Sequence, residues 1–141
     1  MAVDFSGSFG ERAREHLTTR SLVWLTSVGR SGRPNPNPVW FLWHDYVVLV
    51  LSQTTAARLR TFAANPQVAL SFETSGDGND VVVFNGLATV RPGLESMSAQ
   101  ERAAYVEKYG ELIGRLDQTP DGMFASYPVV TQIELTALRG W

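Results

Sequence analysis

The chain has 141 residues, a formal net charge of −2, 44% hydrophobic residues and no cysteine. That length suits one domain over residues 1–141 with a core of its own, and the missing thiols exclude disulfides, thiolate metal ligands and cysteine nucleophiles. No apolar run approaches the roughly 18 residues of a membrane helix, and Met1-Ala2-Val3-Asp4-Phe5 lacks the basic-then-apolar pattern of a secretory signal, so a soluble cytoplasmic protein is expected.

Ser8 to Leu17 reads as a short helix, with Ser8 and Glu11 in capping-box spacing. Ser21 to Val28 turns to strand, Gly29 to Gly32 is a turn, and Pro36 to Trp43 is extended. Asn35-Pro36-Asn37-Pro38 cannot be helical, because each proline lacks a donor and pushes its predecessor toward β. His44-Asp45 is a hairpin tip, and Tyr46 to Leu51 a third strand. Thr55 to Ala64 takes helical period through Ala56, Leu59, Phe62 and Ala63, and Asn65-Pro66 ends it. Gln67 to Glu73 and Val81 to Val90 are strands. Ser98-Ala99-Gln100-Glu101 is a second capping box, opening a helix to about Leu116 with the stripe Tyr105, Tyr109, Leu112, Leu116. Pro120 to Tyr127 is a turn or short helix, and Val129 to Leu138 a closing strand. About six mostly antiparallel strands with three helical interruptions predict a closed or partly closed barrel.

Charge is unevenly spread. From His16 to Phe72 there are five arginines against Asp45 alone, so that segment is +4 and the remainder −6. A basic half in a mildly acidic chain suggests a locally held anion. Nucleic acid is a poor fit, since its binders carry a strongly basic domain or stripe. His16 and His44 lie in different segments without metal-ligand spacing, so no metal is expected. Neither a G-x-S-x-G elbow nor a glycine-rich phosphate motif occurs.

Two local signals remain. In Ser52-Gln53-Thr54-Thr55-Ala56-Ala57-Arg58-Leu59-Arg60 a strand ends, hydroxyls follow and a helix begins. Helix N-termini present free amides and partial positive charge, and arginine adds charge-assisted bonds, so this segment suits a phosphate. Arg58 and Arg60 are two apart and point to different sides of a helix. The second signal is Trp40, Phe41 and Trp43, crowded on one strand. Trp40 and Phe41 face opposite ways, so one face serves a core and the other needs a helix, a second subunit or a planar ligand.

These segments together resemble the pyridoxamine-phosphate-oxidase-like split β-barrel superfamily, and within it the actinobacterial flavin/deazaflavin oxidoreductases. The resemblance lies in Val23 to Ser27 with the Gly32 turn, Pro38-Val39-Trp40-Phe41, Arg58 to Leu70, Asn85-Gly86-Leu87-Ala88 and the ending Leu138-Arg139-Gly140-Trp141. It implies a six-stranded split barrel, mainly β with helices. It also implies a homodimer with a cofactor in each of two interface clefts. By that resemblance Val39, Trp40 and Phe41 contact the cofactor ring, and Gln53, Thr54, Thr55, Arg58 and Arg60 hold its phosphate. Coenzyme F420 is the expected cofactor, with FMN as the alternative. F420 carries a phosphodiester and an oligoglutamate tail, which Arg30 and Arg33 would reach. The implied reaction is hydride transfer from reduced deazaflavin to a small unsaturated acceptor, with no catalytic side chain identified. A haem-binding barrel, using His16 or His44 as axial ligand, and a non-catalytic cofactor-binding module are the competing readings.

Overall fold

The computed structural model describes residues 3–141. In chain order the elements are α1 (Gly7–Thr19), β1 (Val23–Val28), β2 (Pro34–Val39), β3 (Leu42–His44), β4 (Val47–Ser52), α2 (Ala57–Ala64), β5 (Gln67–Ser71), β6 (Val82–Val90), α3 (Ala99–Arg115), α4 (Pro120–Ser126) and β7 (Val129–Gly140). One antiparallel sheet runs β2-β1-β5-β6-β7-β4-β3.

The sequence suggests one extended stretch from Pro36 to Trp43, whereas the structure divides it at Trp40–Phe41. Its first part, β2, pairs with β1 at one edge of the sheet. Its second part, β3, pairs with β4 at the other. One bent run therefore crosses from edge to edge and closes the sheet on itself. Counted around the barrel, β2 and β3 form one stave, so seven ladder segments make the expected six-stranded split barrel.

Local chemistry fixes both ends of this run. Pro34, Pro36 and Pro38 share parity in β2. With Asn35, Asn37 and Val39 donating toward β1, all three donor-less nitrogens turn to the free edge, where proline is tolerated and blocks a further strand. At the other end Asp45 (φ 49°) and Tyr46 (φ 63°) form a two-residue turn between the paired His44 and Val47. Two successive positive φ values match the twist of a tight hairpin.

Burial divides in two. Val23, Leu25, Val39, Phe41, Val48, Val50, Leu70, Phe84 and Ile133 fill the barrel. Leu42, Leu49, Leu51, Tyr105, Tyr109, Ile113 and Phe124 form a second cluster, where α3 and α4 cover the β3–β4 wall. Strand β4 contributes Val48 and Val50 to the first cluster, Leu49 and Leu51 to the second. Burial on both faces accounts for its unbroken apolar sequence.

The Ser98–Glu101 capping box forms as expected. The Ser8–Glu11 box does not: the cap of α1 falls two residues earlier, at Ser6, with no side-chain cap bond. Ser8 thus lies inside the helix, past the point where its hydroxyl could close the first turn. Helix α1 is pinned instead through Asp80, which meets Arg12 Nε at 3.2 Å, His16 Nε2 at 3.0 Å and Arg20 Nη2 at 3.3 Å.

Candidate cofactor site

Where the bent run crosses between edges, an open groove of about 660 Å³ lies against α3 and α4. Pro38, Val39 and Trp40 form one wall, and Leu51 and Gln53 come from the end of β4. Arg58 enters from α2, and Tyr105, Gln118, Met123, Ser126 and Tyr127 complete the far side. Arg58 is the only charged residue lining it among the described residues.

Arg58 is held from behind. Its Nε donates to Ser52 Oγ at 3.0 Å and its Nη2 to the Leu51 carbonyl at 3.2 Å. Ser52 is fully buried, so this pair is fixed by packing as well as by bonding. No carboxylate lies within 4 Å of the guanidinium among the described residues. Burial pulls its pKa below the ordinary arginine value, because a desolvated cation without a counter-charge is disfavoured. It stays charged all the same. A half-buried, oriented, unpaired cation at the end of a groove is a receptor for an anion.

Trp40 supplies a flat wall. Its indole stacks on Tyr109 with ring centroids 4.5 Å apart and planes 1° from parallel.

Four of the ten expected site residues line this groove: Val39, Trp40, Gln53 and Arg58. Thr54 and Thr55 sit beside it, exposed in a turn closed by the Ala56 amide donating to the Gln53 carbonyl at 3.1 Å. Helix α2 consequently begins at Ala57, with Ala56 at a cap that makes no side-chain bond. Arg60 lies on the other side of α2, as its i+2 spacing from Arg58 predicts. It lines a second depression of about 540 Å³ with Arg30, Gly29 and Thr61. Arg33 is exposed on the approach to β2 and lines neither.

Phe41 requires a correction. Its side chain is 0% exposed inside the barrel, packed edge-on to Phe72 at 5.7 Å. The side chain does not line the groove, because closing the barrel at the bend turns it inward as Trp40 turns outward. Sequence reasoning missed the α3–α4 side of the groove. Tyr105 had a signal, its place in the helical stripe, but a stripe marks burial and not the cavity beside it.

The two histidines are placed elsewhere. His16 is buried against Asp80 and Phe72. His44 lines a separate depression with Arg14, Trp43, Asp45 and Tyr46. A further groove, with Asp45 and Glu134 in its walls, has the wrong charge for an anion.

The family model described as pyridoxamine 5'-phosphate oxidase matches residues 9–141. The chain belongs to that family. Among solved structures it is similar to an F420 reductase, with 25% identity, 89% of this chain and 94% of that one covered, and a TM-score of 0.63. It shares its fold with a haem storage protein from Vibrio cholerae (20% identity, 92% of each chain, TM-score 0.68). A FAD-binding protein from Mesorhizobium loti is likewise similar, at 17% identity over 91% of this chain and 90% of that one, TM-score 0.66. No curated protein matches the chain. The solved structures that share this fold thus carry different descriptions: a reductase named for F420, a haem storage protein and a FAD-binding protein. No described helix is long and apolar enough to cross a membrane.

Proposed function

We propose that the chain is an oxidoreductase that holds coenzyme F420 in the groove at Trp40 and acts on a small unsaturated acceptor. The observation that carries this reading is Arg58, a half-buried guanidinium locked by Ser52 and Leu51 and facing no carboxylate among the described residues. It fits the phosphate of a flavin-type cofactor, with Gln53 beside it. The Trp40–Tyr109 stack and Val39 give the flat apolar wall that a tricyclic ring needs. Arg30 and Arg60, together in the second depression, offer positive charge for an acidic tail. When bound, the reduced deazaflavin supplies a hydride. The chain's own residues bind and orient: Arg58 fixes the anionic end, Trp40 fixes the ring plane, and Tyr105 and Tyr127 limit the space left for an acceptor.

FMN is the alternative occupant. The groove itself contains one free arginine, which matches one phosphate without calling on Arg30 or Arg60.

The reading includes a second copy of the chain. Trp24 is 44% exposed on the outer face of β1, opposite Pro38 of β2. Pro38 also lines the groove, so a copy seated on Trp24 reaches the groove's rim. Sedimentation should give a dimer; a monomer at micromolar concentration with cofactor bound overturns that part.

Titration of F420 and FMN by fluorescence quenching, at low and high salt, tests the cofactor. F420 should bind tighter at low salt, and salt should narrow the gap, because exposed charges are screened beyond about 10 Å at 0.1 M. Tighter FMN binding at every salt concentration replaces F420 by FMN. A haem absorbance band without binding of either flavin-type cofactor overturns both.

A further inference from the structure

We propose that Lys108 and Tyr109 of α3 are positioning residues, which take over the unpaired backbone of the Trp40–Phe41 bend and thereby set the indole plane that walls the groove. This rests on the groove being the ligand site.

Phe41 lies between β2 and β3, which pair at opposite edges of the sheet, so its amide and carbonyl have no ladder partner. The residue is fully buried, and water cannot serve them. Such groups are costly unless satisfied. Helix α3 reaches across to do so. Tyr109 Oη accepts from the Phe41 amide at 2.8 Å, and Lys108 Nζ donates to the Phe41 carbonyl at 2.8 Å.

The donor inventory makes both residues necessary. Tyr109 Oη lies 2.8 Å from the Ser21 carbonyl and 2.8 Å from the Phe41 carbonyl. A phenol has one proton and can donate it once. Because Lys108 serves Phe41, the Tyr109 proton is left for Ser21, just before β1. Removing Lys108 sets two carbonyls in competition for one proton. The hydroxyl that fixes the bend belongs to the ring on which Trp40 stacks, so a shift in that bond network moves the stack with it.

Lys108 is suited to the task and to no other evident one. Its Nζ lies 3.6 Å from the centroid of the Phe41 ring, an attractive arrangement for a cation. It is the chain's only lysine and makes no ion pair among the described residues. The small cavity beside it receives only uncharged side chains from α1 (Leu17, Thr18) and β3 (Leu42, Trp43); Glu107, on α3 itself, is the one acid facing it. Burial lowers the Lys108 pKa to about 8. Loss of that proton leaves a neutral donor without charge assistance and without attraction to the ring.

The test has one arm without ligand and one with it. Near-UV circular dichroism of the ligand-free protein reads the stacked Trp40, whose band is identified by its loss in Trp40→Phe. The band should change with a midpoint near pH 8 between about pH 6.5 and pH 9.5. It should be weak at every pH in Lys108→Met, and pH-independent in Lys108→Arg. In the second arm FMN and F420 are titrated over the same range. Lys108→Met and Tyr109→Phe should each weaken binding roughly tenfold, and wild-type affinity should fall above pH 8. If Lys108→Met does not fold, the wild-type pH series and Tyr109→Phe decide. A wild-type band indifferent to pH, or full-strength Trp40 bands in both variants, overturns the proposal. Wild-type protein that binds neither ligand but shows the pH-dependent band overturns the cofactor reading and upholds the positioning.

Discussion

Arg91 holds both carboxylate oxygens of Glu101, with Nη1 to Oε1 at 2.7 Å and Nη2 to Oε2 at 2.9 Å. The same carboxylate accepts from the Ser98 amide at 2.8 Å and so closes the capping box of α3. Arg91 also donates from Nε to Gln132 Oε1 of β7 at 3.1 Å. One ion pair thus joins the end of β6, the start of α3 and the middle of β7, and sets where the groove's helical wall begins.

Acid should unpick this joint first. The Arg91 hydrogen bonds hold the Glu101 carboxyl at about 2, well below its ordinary value. A carboxylate depressed in the folded state adds stability that is complete above its unfolded pKa and lost as pH falls toward the folded one. Wild type should therefore lose stability between about pH 4.5 and pH 2, with roughly 3 kcal/mol at stake for this residue. Glu101→Gln should lower stability by a similar amount at neutral pH and flatten the acid limb. Denaturant melts across that range check it, and an acid limb unchanged in the variant defeats it.

Arg58 and Arg60 should separate cleanly. Arg58→Ala removes a charge-assisted contact worth roughly 1.5–3 kcal/mol, or on the order of 10- to 150-fold in Kd. It also leaves the buried Ser52 hydroxyl without its partner, so a modest loss of thermal stability accompanies it. Arg60→Ala should leave FMN affinity nearly unchanged, because Arg60 lies in the other depression. Its effect should appear with F420 at low salt. Equal losses of FMN affinity in both variants would contradict the placement.

Gly86 explains the family-like Asn85-Gly86-Leu87-Ala88 run in physical terms. The β6–β7 register shifts between Asn85 and Gly86, and a Cβ at Gly86 would meet Ile133 Cγ2 at 2.7 Å and the Glu134 carbonyl oxygen at 2.8 Å. The oxygen is backbone and cannot step aside as a flexible side chain does. Gly86→Ala should cost about 1–3 kcal/mol, the range for overpacking. Thermal melts check this, and an unchanged midpoint would show that the two strands can part at the bulge.

Much of this was legible locally. Hydrophobic alternation placed the strands, the Ser98–Glu101 spacing placed a helix start, and i+2 spacing foretold that Arg58 and Arg60 diverge. What escaped the sequence is the bend. Nothing near Trp40–Phe41 announces that the chain leaves one sheet edge for the other, since the bend is required by barrel closure and not by a turn residue. The groups that satisfy it stand 67 and 68 residues away, on Lys108 and Tyr109. In the sequence Tyr109 reads as one more apolar member of a helical stripe. The opposite fates of Trp40 and Phe41 were half legible: alternation says they face opposite ways, but only the closed barrel says which one is inside.

Lys108 sets the alkaline side of the stability profile, with the opposite sign to Glu101. Burial lowers its pKa to about 8 in the fold, against roughly 10.4 in an unfolded chain. Between those values the unfolded state binds more protons, so stability rises with pH. Tyr105 and Tyr109 act the other way higher up. Burial raises both phenols above their ordinary value, so above about pH 10 the folded state holds protons that the unfolded state has released, and stability falls. Stability should climb from about pH 8, pass a maximum near pH 10 and then decline. Lys108→Met should abolish the climb and keep the decline, and Tyr105→Phe should keep the climb and shrink the decline. Positioning of Trp40 by charged Lys108 makes ligand affinity fall over the same interval in which stability rises. Urea melts and ligand titrations on one set of samples should show the two quantities moving in opposite directions from pH 8 to pH 10, and parallel movement would break the link between Lys108 and the groove.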